Sequence, residues 1–352
     1  MICIIIKTNN QSTQGISMSA DKESFDISLE PKISISNAAK FLGISMQAVH
    51  NKLKAKNLEC PKLGNKMFLT HSIARKLFEL PFQKKNVTCQ IVKGGVGKTT
   101  SIQNIAACAS TYGARVLLID IDPQGNLTDA YNIDPEETPV LIDFLKDEAT
   151  LKQAITPVSE GIDLVPSRIE NVVTDNQLIS SKRAVDKVFR QLVKPVRDDY
   201  DFVFIDCAPT IGYTVTAAAL FADVVLAPLN PDKFSAKGLK ILKEEISLIN
   251  ERFETNVDYK VFLNKFSGNT ILSDKAIATI LSDKSLNDHA LQSVVRFAQE
   301  IPNVTDASRN MFSSLKKSQV RDDFNTLTCE LLGIKPPEKK SKKQNKKAVE
   351  YA

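Results

Sequence analysis

The chain has 352 residues, 43% of them hydrophobic and 25% charged, with a formal net charge of +5. That length can form two units with a sizeable core, and the mild basicity favours acidic partners such as DNA. Six scattered cysteines with no CxxC pair, and three histidines that do not cluster, argue against a disulfide scaffold and a zinc centre; reduced thiols in a cytosolic protein fit better.

The first apolar run, Ile2 to Ile6, is too short for a signal-peptide core or a membrane span. Residues 1–32 read as a mobile or dimerising arm. Residues 33–85 read as a small unit of their own. A short helix ends at Gly43, and Met46 to Lys56 forms a second with Val49 and Leu53 on one face. Helix, glycine turn, helix is the helix-turn-helix pattern. The second helix displays Gln47, His50, Asn51 and Lys54, and amide and basic side chains are what base edges and phosphates require. Cys60 to Leu69 reads as a two-stranded wing turning at Gly64-Asn65, and Thr70 to Leu80 as a closing helix capped by Thr70. A dimerisation or scaffold hairpin with lysines would share much of this pattern.

The most informative segment follows. Residues 87–92 are β-prone and run into Lys93-Gly94-Gly95-Val96-Gly97-Lys98-Thr99-Thr100. Glycines let backbone N–H groups approach phosphate oxygens without a Cβ in the way. Lys98 stands where a phosphate-loop lysine reaches the β- and γ-phosphates, and Thr99 can offer its hydroxyl to Mg²⁺. The ordinary motif wants glycine where Val92 stands; Lys93 adds a second cation at the outer edge, able to reach phosphates held by another copy of the chain. Residues 99–112 read as a helix stopped by Gly113, with its positive end facing the loop. Arg115 to Asp120 reads as a strand buried on both faces, so strand, helix and strand make a βαβ unit. The expected fold is α/β, a mostly parallel sheet flanked by helices and preceded by the small winged helical unit.

Two more strands end in acids. Asp120-Ile121-Asp122-Pro123-Gln124-Gly125-Asn126 and Phe202-Val203-Phe204-Ile205-Asp206-Cys207-Ala208-Pro209 both place carboxylates at the sheet edge where ligands of α/β sheets bind. Val261 to Lys265 is a further apolar strand, ending at Asn264. Val294-Val295 reads as a short strand before Arg296, and Arg296, Arg309, Lys316, Lys317 and Arg321 make the carboxyl-terminal third basic. Pro336-Pro337 reads as the end of the last helix, and residues 335–352 as a disordered lysine-rich tail.

Lys-Gly-Gly-Val-Gly-Lys-Thr-Thr, Asp-Ile-Asp-Pro-Gln-Gly-Asn and Ile-Asp-Cys-Ala-Pro resemble the deviant Walker A, switch I and Walker B motifs of the ParA family of partition ATPases. The resemblance covers roughly 86–333, within an ATPase unit at 86–334. It implies ATP and Mg²⁺ as cofactors, with Gly94 to Thr100 as the phosphate cradle. It further implies a sandwich homodimer with Lys93 acting across the interface, Asp122 positioning the attacking water, Asp206 behind Mg²⁺ and Asn264 near adenine. The ATPase activity so implied is weak and stimulated by a ParB-type partner. The implied dimer binds DNA without sequence preference, with Arg296, Arg309, Lys316, Lys317 and Arg321 as candidate contacts from the ATPase body, and is cytoplasmic and nucleoid-associated. The front unit resembles a MerR-like winged helix, which implies repression of the chain's own operon. Alternatives are a nucleotide-responsive repressor without a motor role, and a MinD-like positioning ATPase; the latter ends in an amphipathic membrane helix, whereas this tail is polar throughout.

Overall fold

The computed structural model describes residues 25–268, 270–282 and 284–337. Most of the arm (1–24) and of the lysine-rich tail (338–352) therefore lies outside the described residues. At the amino-terminal side, strand β1 (Ile33–Ser34) leads into helix α1 (Ile35–Leu42), and Gly43 ends that helix in the left-handed conformation. Helix α2 (Met46–Ala55) is capped by the Ser45 hydroxyl, which accepts from Ala48 N. Strands β2 (Lys62–Leu63) and β3 (Lys66–Leu69) form the wing, antiparallel around Gly64, and β1 adds to β3 as a third strand. Helix α3 (His71–Phe78) closes the unit; Thr70 occupies its cap position, but its hydroxyl makes no capping bond, contrary to the sequence expectation.

The body is an eight-stranded sheet. Its strands are β4 (Lys85–Cys89), β5 (Val116–Asp120), β6 (Thr156–Ser159), β7 (Ile162–Val165), β8 (Phe202–Asp206), β9 (Val224–Leu229), β10 (Asp258–Phe266) and β11 (Ala290–Arg296). Their order is β11-β10-β9-β4-β8-β5-β7-β6, parallel throughout except for the β6–β7 hairpin. Strands β5 and β8 are buried along their full length, as a parallel sheet covered on two faces requires. Val116, Leu118, Phe202 and Phe204 point into one core layer; Leu117, Ile119, Val203 and Ile205 point into the other. Strand β4 stops at Cys89, earlier than residues 87–92 suggest, because the chain tightens into a turn in which Lys93 N donates to Ile91 O over 2.7 Å. Helix α4 (Lys98–Thr111) then runs back along the sheet and is almost wholly buried. The last helix, Gln319–Leu332, packs beside α4 and ends at Gly333 in the left-handed conformation; glycine stops it, before the prolines at 336 and 337 are reached.

The front unit is not loosely tethered. Its buried side chains (Ile35, Ala38, Leu77, Phe78) run without a break into Ile105, Ala109 and Tyr112 of the body. The Phe41 ring lies 4.6 Å from Tyr112 and 5.3 Å from Phe78. Arg75 donates to Gly113 O (2.6 Å) and to the Asp201 carboxylate (2.8 Å). A Cβ at Gly113 would sit 2.4 Å from Arg75 Cα, so only glycine lets α3 approach this closely. The lead-in strap is also pinned: the fully buried Lys32 donates to Ser313 O (2.6 Å), and Glu30 accepts from the Ser159 hydroxyl (2.6 Å) and Glu160 N.

Candidate functional site

At the carboxyl edge of the sheet, the chain leaving β4 winds through Gly94, Gly95 and Gly97 into α4. Gly95 (φ 71°) and Gly97 (φ 92°) both occupy the left-handed region, so the backbone turns its N–H groups toward a common hollow before the helix begins. Lys98 is buried with its ammonium 3.5 Å from Lys93 O. Asn264, two residues before the end of β10, donates to Val96 O over 2.7 Å, and its amide lies where a Cβ on Gly97 would fall, at 2.5 Å. Lys265 donates to Gly95 O over 2.8 Å. The resulting hollow, about 680 Å³, is bordered by the loop, Asp122, Asn264 and the short helix Glu300–Asp306.

Asp122 lines the same hollow, and the buried Asp206 reaches it through Thr99. Register places Asp206 beside both Cys89 and Asp120. Thr99 Oγ1 donates to Asp206 Oδ2 over 2.6 Å, while Asp206 Oδ1 is buried with no partner. Burial and the neighbouring Asp122 push the Asp206 carboxyl up from the ordinary carboxylate range, against the Thr99 hydrogen bond and the Lys98 charge. Burial and the Asp206 charge likewise raise Asp120. A hydroxyl and an orphaned buried carboxylate oxygen, side by side, are the donor set a hard divalent cation takes. Asp120 itself accepts from Thr128 N, the Thr128 hydroxyl and Asp122 N, so it shapes the turn that presents Asp122. Asp122 in turn accepts from Gln124 N. Lys93 sits at the lip, its ammonium on both oxygens of Asp232 at 2.6 Å.

A family model described as an AAA domain matches residues 84–259. The sporulation initiation inhibitor protein Soj of Bacillus subtilis is 30% identical over 206 residues, covering 58% of this chain and 80% of Soj. A ParA family protein of Chlamydia trachomatis is 29% identical over 253 residues, covering 70% of this chain and 97% of that protein. The chain belongs to the ParA family of P-loop ATPases. An ATP complex of a Cyanothece McdA variant shares the fold of this ParA-family chain, with a TM-score of 0.65 at 22% identity, over 74% of this chain and all of that one (100%).

Within this ParA-family fold, Lys93 to Thr100, Asp122, Asp206 and Asn264 come together, although three of these segments lie far apart in sequence. Sequence reasoning missed Asp232 and Lys265. Asp232 follows β9 in a Pro-containing loop with no motif of its own, and Lys265 reads as one lysine among many. The amino-terminal candidates lie elsewhere, on α2. Gln47 and Asn51 are exposed and bond to each other over 3.2 Å; Lys54 is exposed, and His50 is half-buried. Arg296 is engaged: its guanidinium grips both oxygens of Asp323 (2.6 and 2.8 Å) and also reaches Gln319. Arg321 is buried, donating to Lys32 O and stacked 5.1 Å from the Phe312 ring centroid, so it is no surface cation. Arg309, Lys316 and Lys317 are exposed. The five described cysteines are free thiols. No described helix is long and apolar enough to cross a membrane.

Proposed function

We propose that this chain is a Mg²⁺-dependent ATPase of the partition type, whose ATP-bound homodimer binds DNA and is released by hydrolysis. The observation that carries the reading is the pair of lysines on one glycine loop, Lys98 turned into the hollow and Lys93 at its lip. Lys98 and the loop N–H groups receive the β- and γ-phosphates, and Lys93 serves the nucleotide of a second copy. Thr99 and Asp206 are the residues that would hold Mg²⁺, which when bound neutralises charge on the phosphate oxygens. Asp122 orients the attacking water; the water oxygen bonds to the γ-phosphorus as the bridging β–γ bond breaks, and the water proton departs with phosphate. Positioning and charge neutralisation do most of this chemistry. With Lys93 supplied in trans, hydrolysis is slow for one chain and responsive to a ParB-type partner.

The unit at 33–85, read as a winged helix-turn-helix, adds operator binding and autorepression to segregation of a replicon. The deciding experiment is binding of a random-sequence duplex at fixed salt with ATP, with ADP and without nucleotide, alongside Lys93→Ala. Tight binding with ATP alone, lost in the variant, is expected. Binding indifferent to nucleotide would overturn the switch. The second reading, a repressor for which ATP is only an effector, draws support from the firm docking of the front unit on α4. Asp122→Ala separates the two, since a repressor keeps operator control while a partition motor loses segregation.

A further inference from the structure

Between the front unit and the body runs a second hollow, about 640 Å³, that has no part in the nucleotide site. One wall is the front unit: Lys40 of α1, His50 of α2 and Lys66 of the wing. The facing wall is body: Lys316 and Lys317, in the segment that leads into the last helix. All four lysines are exposed, and none forms an ion pair among the described residues. Asp322 is the acid on the rim, and the Arg321 guanidinium beneath is already spent on the Lys32 carbonyl. The local balance is therefore strongly positive, and it is contributed by two parts of the chain that the fold holds in fixed register.

We propose that this groove is a single phosphate track, in which wing and body lysines hold the backbone of one DNA duplex at the same time. The inference rests on the DNA-binding reading above and deepens it. The basic wing and the basic body segment are otherwise two separate DNA contacts; here they face one opening. The opening lies beside α2, whose exposed Gln47 and Asn51 would meet bases while the lysines hold phosphates, a division of labour general to protein–DNA interfaces. Of the five basic candidates in the body, Lys316 and Lys317 are the two exposed lysines that line this groove, whereas Arg296 and Arg321 are engaged internally.

The test is the salt dependence of duplex affinity, measured by fluorescence anisotropy on the full-length chain with ATP and Mg²⁺. The variants are Lys66→Ala, Lys316→Ala with Lys317→Ala, all three together, and, as control, Lys240→Ala, an exposed lysine of the helix Lys233–Phe253 that does not line the groove. Each phosphate contact contributes about 0.9 to the slope of log affinity against log salt. Per subunit, the wing variant is expected to lose about one unit of slope, the body pair about two and the triple variant their sum, roughly doubled for a dimer with both subunits on one duplex, with Lys240→Ala unchanged. Retained nucleotide affinity and an unchanged melting temperature establish that the variants are folded. If only one wall alters the slope, or the triple variant does no more than the stronger of the two, the walls do not share a duplex and the proposal fails. Unchanged slopes in all variants of a chain that does bind DNA sink the groove alone; no duplex binding by the unsubstituted chain sinks the DNA reading with it.

Discussion

Asp232→Asn tests the assignment of Lys93 most directly. In a single chain, the Lys93 ammonium is held by both Asp232 oxygens at 2.6 Å, with side-chain exposures of 18% and 34%. A lysine held in this way must let go before it can serve the phosphates of a second copy. A charge-assisted hydrogen bond contributes about 1.5–3 kcal/mol, and partial exposure argues for the lower end, about 1.5 kcal/mol. A symmetric dimer breaks two such pairs, so the contact opposes association by about 3 kcal/mol, or roughly a hundredfold in dimer dissociation constant. Asp232→Asn keeps the shape and removes the charge. Sedimentation equilibrium with Mg²⁺ and a non-hydrolysable ATP analogue should therefore show a dimer tighter by one to two orders of magnitude, and Lys93→Ala should show none of that gain. A dimer no tighter, or weaker, in Asp232→Asn would refute the reasoning and make Asp232 a part of the assembled interface instead.

Gly97→Ala places a Cβ 2.5 Å from the Asn264 amide at φ 92°, so nucleotide binding should fall at least a hundredfold by titration calorimetry while the sheet remains folded. Gly113→Ala meets Arg75 backbone at φ 89°, and a loss of about 3 kcal/mol or more is expected in urea unfolding, with hydrogen exchange rising first in residues 33–80. Burial lowers the Lys32 ammonium from 10.5 to about 8, so between those values the unfolded chain binds the proton more tightly and stability rises with pH. Lys32→Met should remove that rise, seen as a denaturation midpoint that no longer separates pH 8 from pH 10. Asp206→Asn relieves its repulsion with buried Asp120; the nucleotide-free chain should melt no lower than the parent, while Mg²⁺ loses its effect on nucleotide affinity.

The body was legible because its signals are local. A continuous apolar run such as Val116 to Ile119 can be little but a strand covered on both faces, and the glycine loop carries its purpose in its spacing. Side chains that meet across sequence left weaker traces. Nothing near Asp232 announces that it faces Lys93, since the pairing depends on where β9 lies beside β4. The arginines misled for a related reason: a guanidinium reads as a surface charge until the fold supplies Asp323 to one and the Lys32 carbonyl to another. The docking of the front unit rests on Gly113 and Tyr112. In sequence these read as a helix stop and its neighbour; in the fold they form the seat for Arg75 and Phe41.

That seat has a geometric consequence. Because α3 is clasped against Gly113 and the strap is pinned through Lys32, α2 is carried at a set angle and distance from the glycine loop. In the proposed homodimer, if two bodies pair about a two-fold axis, the separation of their α2 helices follows from that pairing and from the docking of each front unit on its own body. The front units then act as the points of a caliper whose opening is set at the body interface. A pair of DNA half-sites at one spacing would recognise one arrangement of the bodies and reject another, so the spacing that binds best becomes a ruler for the dimer geometry itself.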